Sequence, residues 1–338
     1  MFTKEAYSYW MLRVNGLIMT VLEAPRNSPR FLSYEMAYAV RAVVADAADD
    51  GLWSVAWSHS GSIVAGSCDE TVRSFVLVGE GEKLALVRQH DLRGHELGVT
   101  SVTTSAEGGL AASSALDSHI RVWSLEHGTE ALSIDAGPVE AWTVCFSADG
   151  KRIASGAQPG HVNMWCATSG QRLFSVPTGA NRFVMSVAMA PDGRHVACGT
   201  AEGGVYVLDV EAKLVTQRFE GHSANVRALA FSADGAHLIT GADDAHVNLY
   251  ELSTGLQVAS MPGHASWVLG VAAAPDGSVI ASCSADKSVR IWDVGTRQSL
   301  QVIADAHTEQ AWGVAFDPNN PNRLVSVGDD KALRLYER

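Results

Sequence analysis

The chain has 338 residues, of which 47% are hydrophobic and 18% are charged, a balance typical of a folded globular protein and not of a disordered one. Its formal net charge of -12 argues against sequence-independent binding to nucleic acid or to an anionic membrane, because phosphate neutralisation needs a basic face. The five cysteines are irregularly spaced and include no pair separated by two residues, so the sequence predicts free thiols in a reducing compartment.

Residues 1–35 come before any repeated pattern in the chain. The apolar residues between 9 and 22 are interrupted by polar ones, so this segment is too short and too polar to span a bilayer. We expect an extension that packs on the rest of the protein or stays mobile. The alternatives are a weak targeting peptide, in which Lys4 precedes the apolar run, and a chain whose true start is Met36.

From residue 36 onward the sequence repeats seven times, which predicts one domain over residues 36–338. Each unit reads as four short strands joined by tight turns, such as the Pro-Asp-Gly at 275–277. A period of about 40–45 residues, with Gly-His near the start and Trp-Asp near the end, is typical of WD40 repeats. We therefore predict an all-β fold, a seven-bladed WD40 β-propeller. The residues that close the units are Phe75, Trp123, Trp165, Leu208, Tyr250, Trp292 and Tyr336.

The segment 38–44 stands before the first unit at the spacing of a fourth strand. We predict that this N-terminal strand completes the last blade, beside the strand that ends at Tyr336. Such a pairing would close the ring and remove the exposed sheet edges at the seam.

Four positions recur inside the units at fixed offsets and predict a buried polar network in each blade. A histidine precedes the first strand, a serine or threonine lies in the second, an aspartate follows four residues later, and Trp or Tyr ends the third. Because buried polar groups must be satisfied, this network would fix the loops while the ring packs against its neighbour. The residues are His95, Ser113, Asp117, Trp123, His222, Thr240, Asp244, Tyr250, His264, Ser282, Asp286, Trp292, His307, Ser326, Asp330 and Tyr336.

Units one, three and four depart from this set. Unit one has Ala48 and Ala65 at the His and Ser positions, and unit three has Gly-Pro, ending at Pro138, in place of Gly-His. Unit four has Glu202 and Leu208 at the Asp and Trp positions. We expect the fold to tolerate these changes, because hydrophobic stacking between blades carries most of the stability.

The recurring Ser, His and Asp also invite comparison with a hydrolase triad, but the sequence favours a structural role. Catalysis would not require the set in several units, the serine is expected to be buried in mid-strand, and no G-x-S-x-G is present. His119, His161 and His246 hold equivalent positions on different blades, too far apart to share a metal ion. We predict no enzymatic activity, no catalytic residue, no cofactor and no metal ion.

Side chains at the entry of the first strands are expected to ring the central channel. They lie on the side of the ring where the second and third strands are joined, which we call the narrow face. Trp, Phe and Arg dominate this rim, and such residues are typical of protein-binding hot spots. The alternative is that some of these side chains are simply the top of the core, an interpretation that has more weight for Met185 and Leu269 than for the aromatic residues. The predicted partner-binding residues are Trp53, Trp142, Phe183, Arg227, Trp267 and Trp312.

Several longer stretches resemble one branch of the WD40 family, and the most irregular are SIDAGPVEAW at 133–142 and ADKSVRIWDVGTR at 285–297. The others are 97–102, 263–269 and 325–330, and the order of the blades is intact from Tyr38 to Tyr336. These stretches are similar to the small WD40 subunit of the superkiller (Ski) complex. In animals and plants that subunit is shared with the polymerase-associated factor (Paf) transcription-elongation complex.

The resemblance implies a scaffold whose partners are proteins. In the Ski complex such a subunit holds a tetratricopeptide protein beside an RNA helicase that feeds the cytoplasmic exosome in mRNA decay. In the Paf complex it accompanies RNA polymerase II during elongation and histone modification. The resemblance also implies peptides docked on the narrow face, at Trp53, Trp142, Arg227, Trp267 and Trp312.

On this basis we expect a monomeric propeller within a hetero-oligomer in the cytoplasm and nucleus, with no direct contact to nucleic acid or membrane. A scaffold in another large assembly, such as a ciliary axoneme or a trafficking complex, is the alternative, since a fold does not fix a function. An enzyme that used the central channel would need convergent titratable groups there.

Overall fold

The computed structural model describes residues 9–14, 17–22 and 37–338, and the chain divides into two compact units, Met1–Ala37 and Tyr38–Arg338. In the first unit, Tyr9–Val14 and Leu17–Leu22 form an antiparallel pair in which Tyr9 stands opposite Leu22. The other residues of the predicted extension lie outside the described residues. The boundary at residue 35 stays a prediction.

Seven antiparallel sheets of four strands make up the second unit, and they confirm the predicted propeller. Within each sheet the hydrogen-bonded order runs from the first strand at the centre to the fourth at the outside. The first strands of successive sheets contact one another in a cycle that returns from the last sheet to the first, so the ring is closed. We call these sheets blades one to seven, in the chain order of their first strands.

The strands of the blades have the following bounds. Blade one contains Leu52–Trp57, Ser62–Ser67, Thr71–Val78 and Ala85–Arg93. Blade two contains Val99–Thr104, Leu110–Ala115, His119–Ser124 and Thr129–Asp135. Blade three contains Thr143–Phe146, Arg152–Gly156, His161–Cys166 and Arg172–Pro177, and blade four contains Val184–Met189, His195–Thr200, Val205–Asp209 and Leu214–Phe219. Blade five contains Val226–Phe231, His237–Ala242, His246–Glu251 and Leu256–Pro262.

Blade six contains Val268–Ala273, Val279–Ser284, Val289–Asp293 and Ser299–Ile303, and blade seven contains Ala311–Asp317, Asn320–Gly328, Leu333–Glu337 and Ala39–Val44. Helical structure in the described part of the chain is limited to the 3₁₀ turns Gly81–Lys83 and Ala201–Gly203. Among these residues, no helix has the length and apolar character needed to cross a membrane.

The last blade is built from both ends of the domain. Its fourth strand, Ala39–Val44, pairs antiparallel with Leu333–Glu337, with Val40 opposite Tyr336 and Val44 opposite Leu333. This pairing confirms the predicted closure by an N-terminal strand. The third strand of blade seven therefore has a partner on both sides, as the third strands of the other blades do.

Each hydrophobic cluster lies between two adjacent blades. Trp292 of blade six, for example, packs with Ile239 and Leu249 of blade five. The approach is close enough that a Cβ added to Gly241 would lie 2.5 Å from a methyl carbon of Val268 in the next blade. A blade therefore buries its apolar side chains against its neighbour, and a single extra carbon at Gly241 would force the Val268 side chain or the backbone to shift.

We predict that a chain beginning at Ala45, after an added initiator Met, unfolds at a lower temperature than a chain beginning at Met36. Loss of Ala39–Val44 leaves the hydrogen-bonding edge of Leu333–Glu337 without a partner and uncovers part of the cluster around Leu333. We expect a difference on the order of 5 °C, measured by circular dichroism. Equal melting temperatures would contradict a role for this strand in closing the ring.

Candidate functional site

The four recurring polar positions meet in one hydrogen-bonded chain in blade six. Trp292 donates its Nε1–H to Ser282 Oγ at 2.8 Å, and that oxygen lies 2.7 Å from His264 Nε2. His264 Nδ1 is 2.9 Å from Asp286 Oδ2. Because the indole only donates, the serine proton points to His264, whose other nitrogen then donates to Asp286. Blade two repeats this chain with His95, Ser113, Asp117 and Trp123 at 2.7–2.9 Å.

Blades five and seven build the same network with tyrosine. His222 Nε2 lies 2.7 Å from Thr240 Oγ1 and its Nδ1 lies 2.9 Å from Asp244, while the Tyr250 hydroxyl accepts a 3.3 Å bond from Asn248. In blade seven, His307 Nε2 lies 2.7 Å from Ser326 Oγ and His307 Nδ1 lies 2.8 Å from Asp330 Oδ1. The Ser326 hydroxyl also lies 3.0 Å from the Tyr336 hydroxyl. In both blades the network ties the loop before the first strand to the turn after the second.

Burial controls the charge state of these networks. It lowers the pKa of His95, with weaker opposing effects from Asp117, so the ring is neutral at neutral pH. Burial acts to raise the pKa of Asp286, but bonds from His264, Ser288 and a backbone N–H lower it overall. A Ser–His–Asp geometry is thus present, yet Ser282 is fully buried and its oxygen already accepts the indole proton. The arrangement is a clamp between loops, and its serine lies out of reach of a substrate.

Blades one and three replace the network with partners that sequence reasoning missed. Arg73, only 2% exposed, pairs with Asp69 at 2.7 Å in blade one. In blade three, Trp165 donates to Ser155 at 2.9 Å, and the Ser155 hydroxyl donates to the backbone carbonyl of Glu140 at 2.9 Å. The sequence does carry a signal for these replacement partners. Several units have an arginine or an asparagine two residues before the closing aromatic residue, as Arg73 stands before Phe75.

A cavity of about 540 Å³ lies on the axis of the ring and is lined by all seven blades. At the narrow-face end of the first strands, each blade contributes one lining residue at an equivalent position. These residues are Trp53, Thr100, Trp142, Met185, Arg227, Leu269 and Trp312. Phe183 and Trp267 stand two residues before the lining residues Met185 and Leu269 of their blades and do not line the cavity themselves. The six predicted rim residues therefore occupy two levels of the narrow face.

The aromatic rim residues meet in pairs across the boundaries between blades. The rings of Trp53 and Trp312, from blades one and seven, lie 5.3 Å apart between centroids and are tilted by 31°. The rings of Trp142 and Phe183, at blades three and four, are 5.5 Å apart and meet edge to face. All four side chains are half-buried, so part of the surface of each ring stays accessible at the rim.

The third pair combines a cation with an indole. The guanidinium carbon of Arg227 lies 5.1 Å from the centroid of the Trp267 ring, and Trp267 is 47% exposed. Asp243 fixes this guanidinium through two hydrogen bonds, one of them 3.0 Å long. Sequence reasoning missed Asp243. Two aspartates are adjacent at 243–244, and because Asp244 belongs to the polar network, Asp243 was available for a contact at the rim.

Comparison with known proteins places the chain in a family. The profile described as "WD domain, G-beta repeat" matches more than half of it, at residues 43–75, 86–124, 134–166, 213–251, 255–293 and 297–337. The chain therefore belongs to the WD40 repeat family, whose propellers in general mediate protein–protein interactions and are non-enzymatic. The matched ranges leave out residues 167–212, which include the first three strands of blade four.

Two curated relatives show how far the similarity extends. WD repeat-containing protein SL1-17 of Schistosoma mansoni is 33% identical over 305 residues, which are 89% of this chain and 99% of that protein. WD repeat-containing protein VIP3 of Arabidopsis thaliana is 35% identical over 203 residues, which are 55% of this chain and 61% of that protein. The alignment with the plant protein thus spans less than two thirds of its length.

Among residues 37–338, no three His, Cys, Asp or Glu side chains converge as a metal site requires. The expectations of no metal ion, no cofactor and no catalytic residue stay predictions.

We predict that Ser282→Ala lowers the free energy of unfolding by about 2–4 kcal/mol, because Trp292 Nε1 and His264 Nε2 both lose a buried partner. Urea denaturation measures the change. Ser282→Thr is the matched control, since Thr240 fills the equivalent place in blade five and a threonine keeps the hydroxyl. If both variants unfold at the wild-type urea concentration, the hydroxyl has no structural role.

We predict that the protein becomes less stable as the pH falls below about 6.5. Burial lowers the pKa of His95, His222 and His307 from the ordinary value of 6.5, so the unfolded chain takes up protons that the folded chain refuses. Asp69 also makes the protein less stable in acid, at pH values below the ordinary aspartate pKa of 3.8. Burial acts to raise the pKa of Asp69, but hydrogen bonds from Arg73 and a backbone N–H hold this pKa at about 2. The urea midpoint should be lower at about pH 5.5 than at about pH 7.5. A constant or rising midpoint would refute the neutral, buried rings.

Proposed function

We propose that this chain is a non-enzymatic adaptor that holds proteins together through its narrow face. The observation that carries the proposal is the rim of partly exposed aromatic and arginine side chains around the axial cavity. Trp267 exposes nearly half of its surface while Arg227 and Asp243 keep it in one orientation. Large rigid side chains that need no ordering on contact are the usual anchors of protein interfaces.

We further propose that the assembly is of the Ski type, the Paf type, or both. The support is the position of the stretches that resemble that branch of the family. Residues 133–142 and 263–269 contain Trp142 and Trp267, and residues 97–102 contain the lining residue Thr100. Three of the five resembling stretches therefore contribute residues to the rim or the cavity, where a shared partner would impose similarity.

The partners that follow from this proposal are a tetratricopeptide-type scaffold and a helicase, or subunits of an elongation complex. The propeller would act as one copy within a hetero-oligomer of the cytoplasm and nucleus. Most charged residues in its narrow-face loops are carboxylates, including Asp50, Glu70, Glu96 and Asp305. This negative charge disfavours direct contact with nucleic acid or an anionic membrane.

We predict that a Trp267→Ala/Trp312→Ala double variant loses its main partners. The chain and the variant are purified by affinity from the native cells and their partners are identified by mass spectrometry. Removal of two rim indoles from an interface centre should reduce partner recovery by about tenfold or more. Leu256→Ala is the matched control, because Leu256 is 63% exposed but lies on the outer strand of blade five.

The identity of the recovered proteins tests the finer proposal. A tetratricopeptide protein with a helicase, or elongation factors, would support it if they are lost from the double variant and kept by Leu256→Ala. Recovery of axonemal or trafficking proteins instead would overturn the Ski or Paf assignment and keep the adaptor. An unchanged partner list in a folded double variant would show that the narrow face is the wrong surface.

A further inference from the structure

Two aspartates on the narrow face occupy the same position in different blades. Asp243 follows the second strand of blade five, and Asp329 follows the second strand of blade seven. The backbone N–H of Asp243 donates a 2.9 Å hydrogen bond to the carbonyl of Asn225, and that of Asp329 donates one of the same length to the carbonyl of Gln310. Each carbonyl belongs to the residue two positions before the cavity-lining residue of its blade. The repeat therefore presents both carboxylates to the rim in the same way.

The two blades differ in what meets the carboxylate. In blade five the lining residue is Arg227, which bonds Asp243 and lies against the Trp267 indole. In blade seven the equivalent residue is Trp312, which has no positive charge. Blade five thus shows, within one chain, a complete arrangement of carboxylate, cation and indole, and blade seven shows carboxylate and indole alone.

Asp329 has no cationic partner among the described residues. Its Oδ1 accepts a 3.2 Å bond from Trp53 Nε1, whose ring stacks on Trp312. The nearest cation along the chain, Lys331, donates its ammonium to the backbone carbonyl of Asp49 at 2.6 Å. A half-buried carboxylate beside two indoles, with no counter-charge in the described part of the chain, is an incomplete pair.

Neighbouring carboxylates strengthen the negative potential at this point. Burial raises the pKa of the Cys68 thiol to about 12, and the charges of Asp50, Asp329 and Asp69 act in the same direction. Asp69 is already paired with Arg73. Asp50 and Asp329 therefore supply the negative charge that has no ion pair in the described part of the chain at this boundary between blades one and seven. A cation that arrives there gains attraction from both carboxylates, in a site where the indoles exclude part of the solvent.

We propose that Asp329 and the Trp53–Trp312 pair form a subsite for a basic side chain, lysine or arginine, of a partner protein. The incoming cation would take at Asp329 the place that Arg227 takes at Asp243. Because the two indoles stack on each other, the cation would lie over the outward face of one ring while it bonds the carboxylate. The inference rests on the proposed docking function and names the chemistry of one contact within it.

The test uses a phage-displayed library of random peptides selected on the full-length protein. We expect the selected peptides to share a lysine or arginine, and synthetic copies to bind about tenfold more weakly to Asp329→Asn. Asparagine keeps an acceptor for Trp53 Nε1, so only the charge is removed. Glu96→Gln is the matched control, because Glu96 is an exposed carboxylate on the narrow face of blade two and should have no effect.

A double-mutant cycle connects the two sides of the contact. Replacing the shared basic residue of a peptide with citrulline or norleucine should weaken binding to the wild type and change binding to Asp329→Asn little. Melting temperatures show whether each variant is folded. If Asp329→Asn is unfolded, Asp329→Glu, which keeps the charge, must retain binding for the inference to survive.

The outcomes separate the inference from the function on which it rests. Peptides that need Trp53 and Trp312 but share no basic residue, or that bind Asp329→Asn normally, would overturn the subsite and keep the docking face. Selected peptides that bind a folded Trp53→Ala/Trp312→Ala variant unchanged would overturn the subsite, whereas an unchanged partner list in Trp267→Ala/Trp312→Ala would overturn the docking face. Additive effects in the double-mutant cycle would also contradict a direct contact between Asp329 and the basic residue.

Discussion

Each hydrophobic cluster of the propeller lies between two blades, so the apolar face of one sheet is covered only by the next. Trp292 finds its contacts in blade five, and Leu208 of blade four packs with Val162 and Met164 of blade three. Every sheet therefore depends on a neighbour, and the dependence ends only when the first strands meet in a closed cycle. The closing strand and the axial cavity both follow from this requirement.

The polar networks have a different task, which is to hold the loops on the narrow face. Blades two and six keep the complete set, whereas blade four has Leu208 in a buried position without it, and its sheet is still formed. The interface between sheets supplies the fold, and the networks supply loop rigidity. That rigidity places Trp267 and its neighbours at fixed points around the cavity, which lowers the ordering cost of binding a protein there.

The number of blades, the closing strand and the network partners could be predicted because they depend on patterns that repeat along the chain. The pairs Trp53–Trp312 and Trp142–Phe183 could not, because each joins two blades and depends on ring angles that no local spacing records. Arg227 was predicted as a rim residue, but its bond to Asp243 was missed. The sequence shows that an acid lies in the next turn, and only the structure shows which of two adjacent aspartates faces the rim.

The shared last blade has a consequence for the order in which the protein is made. Ala39–Val44 is synthesised among the earliest parts of the domain, yet its partner Leu333–Glu337 is nearly the last segment of the domain to be synthesised. Until then the outermost strand has no sheet to join, and one side of blade one has no neighbour to cover it. The nascent chain must therefore keep an unpaired strand and an uncovered sheet from aggregating while almost all of the domain is translated.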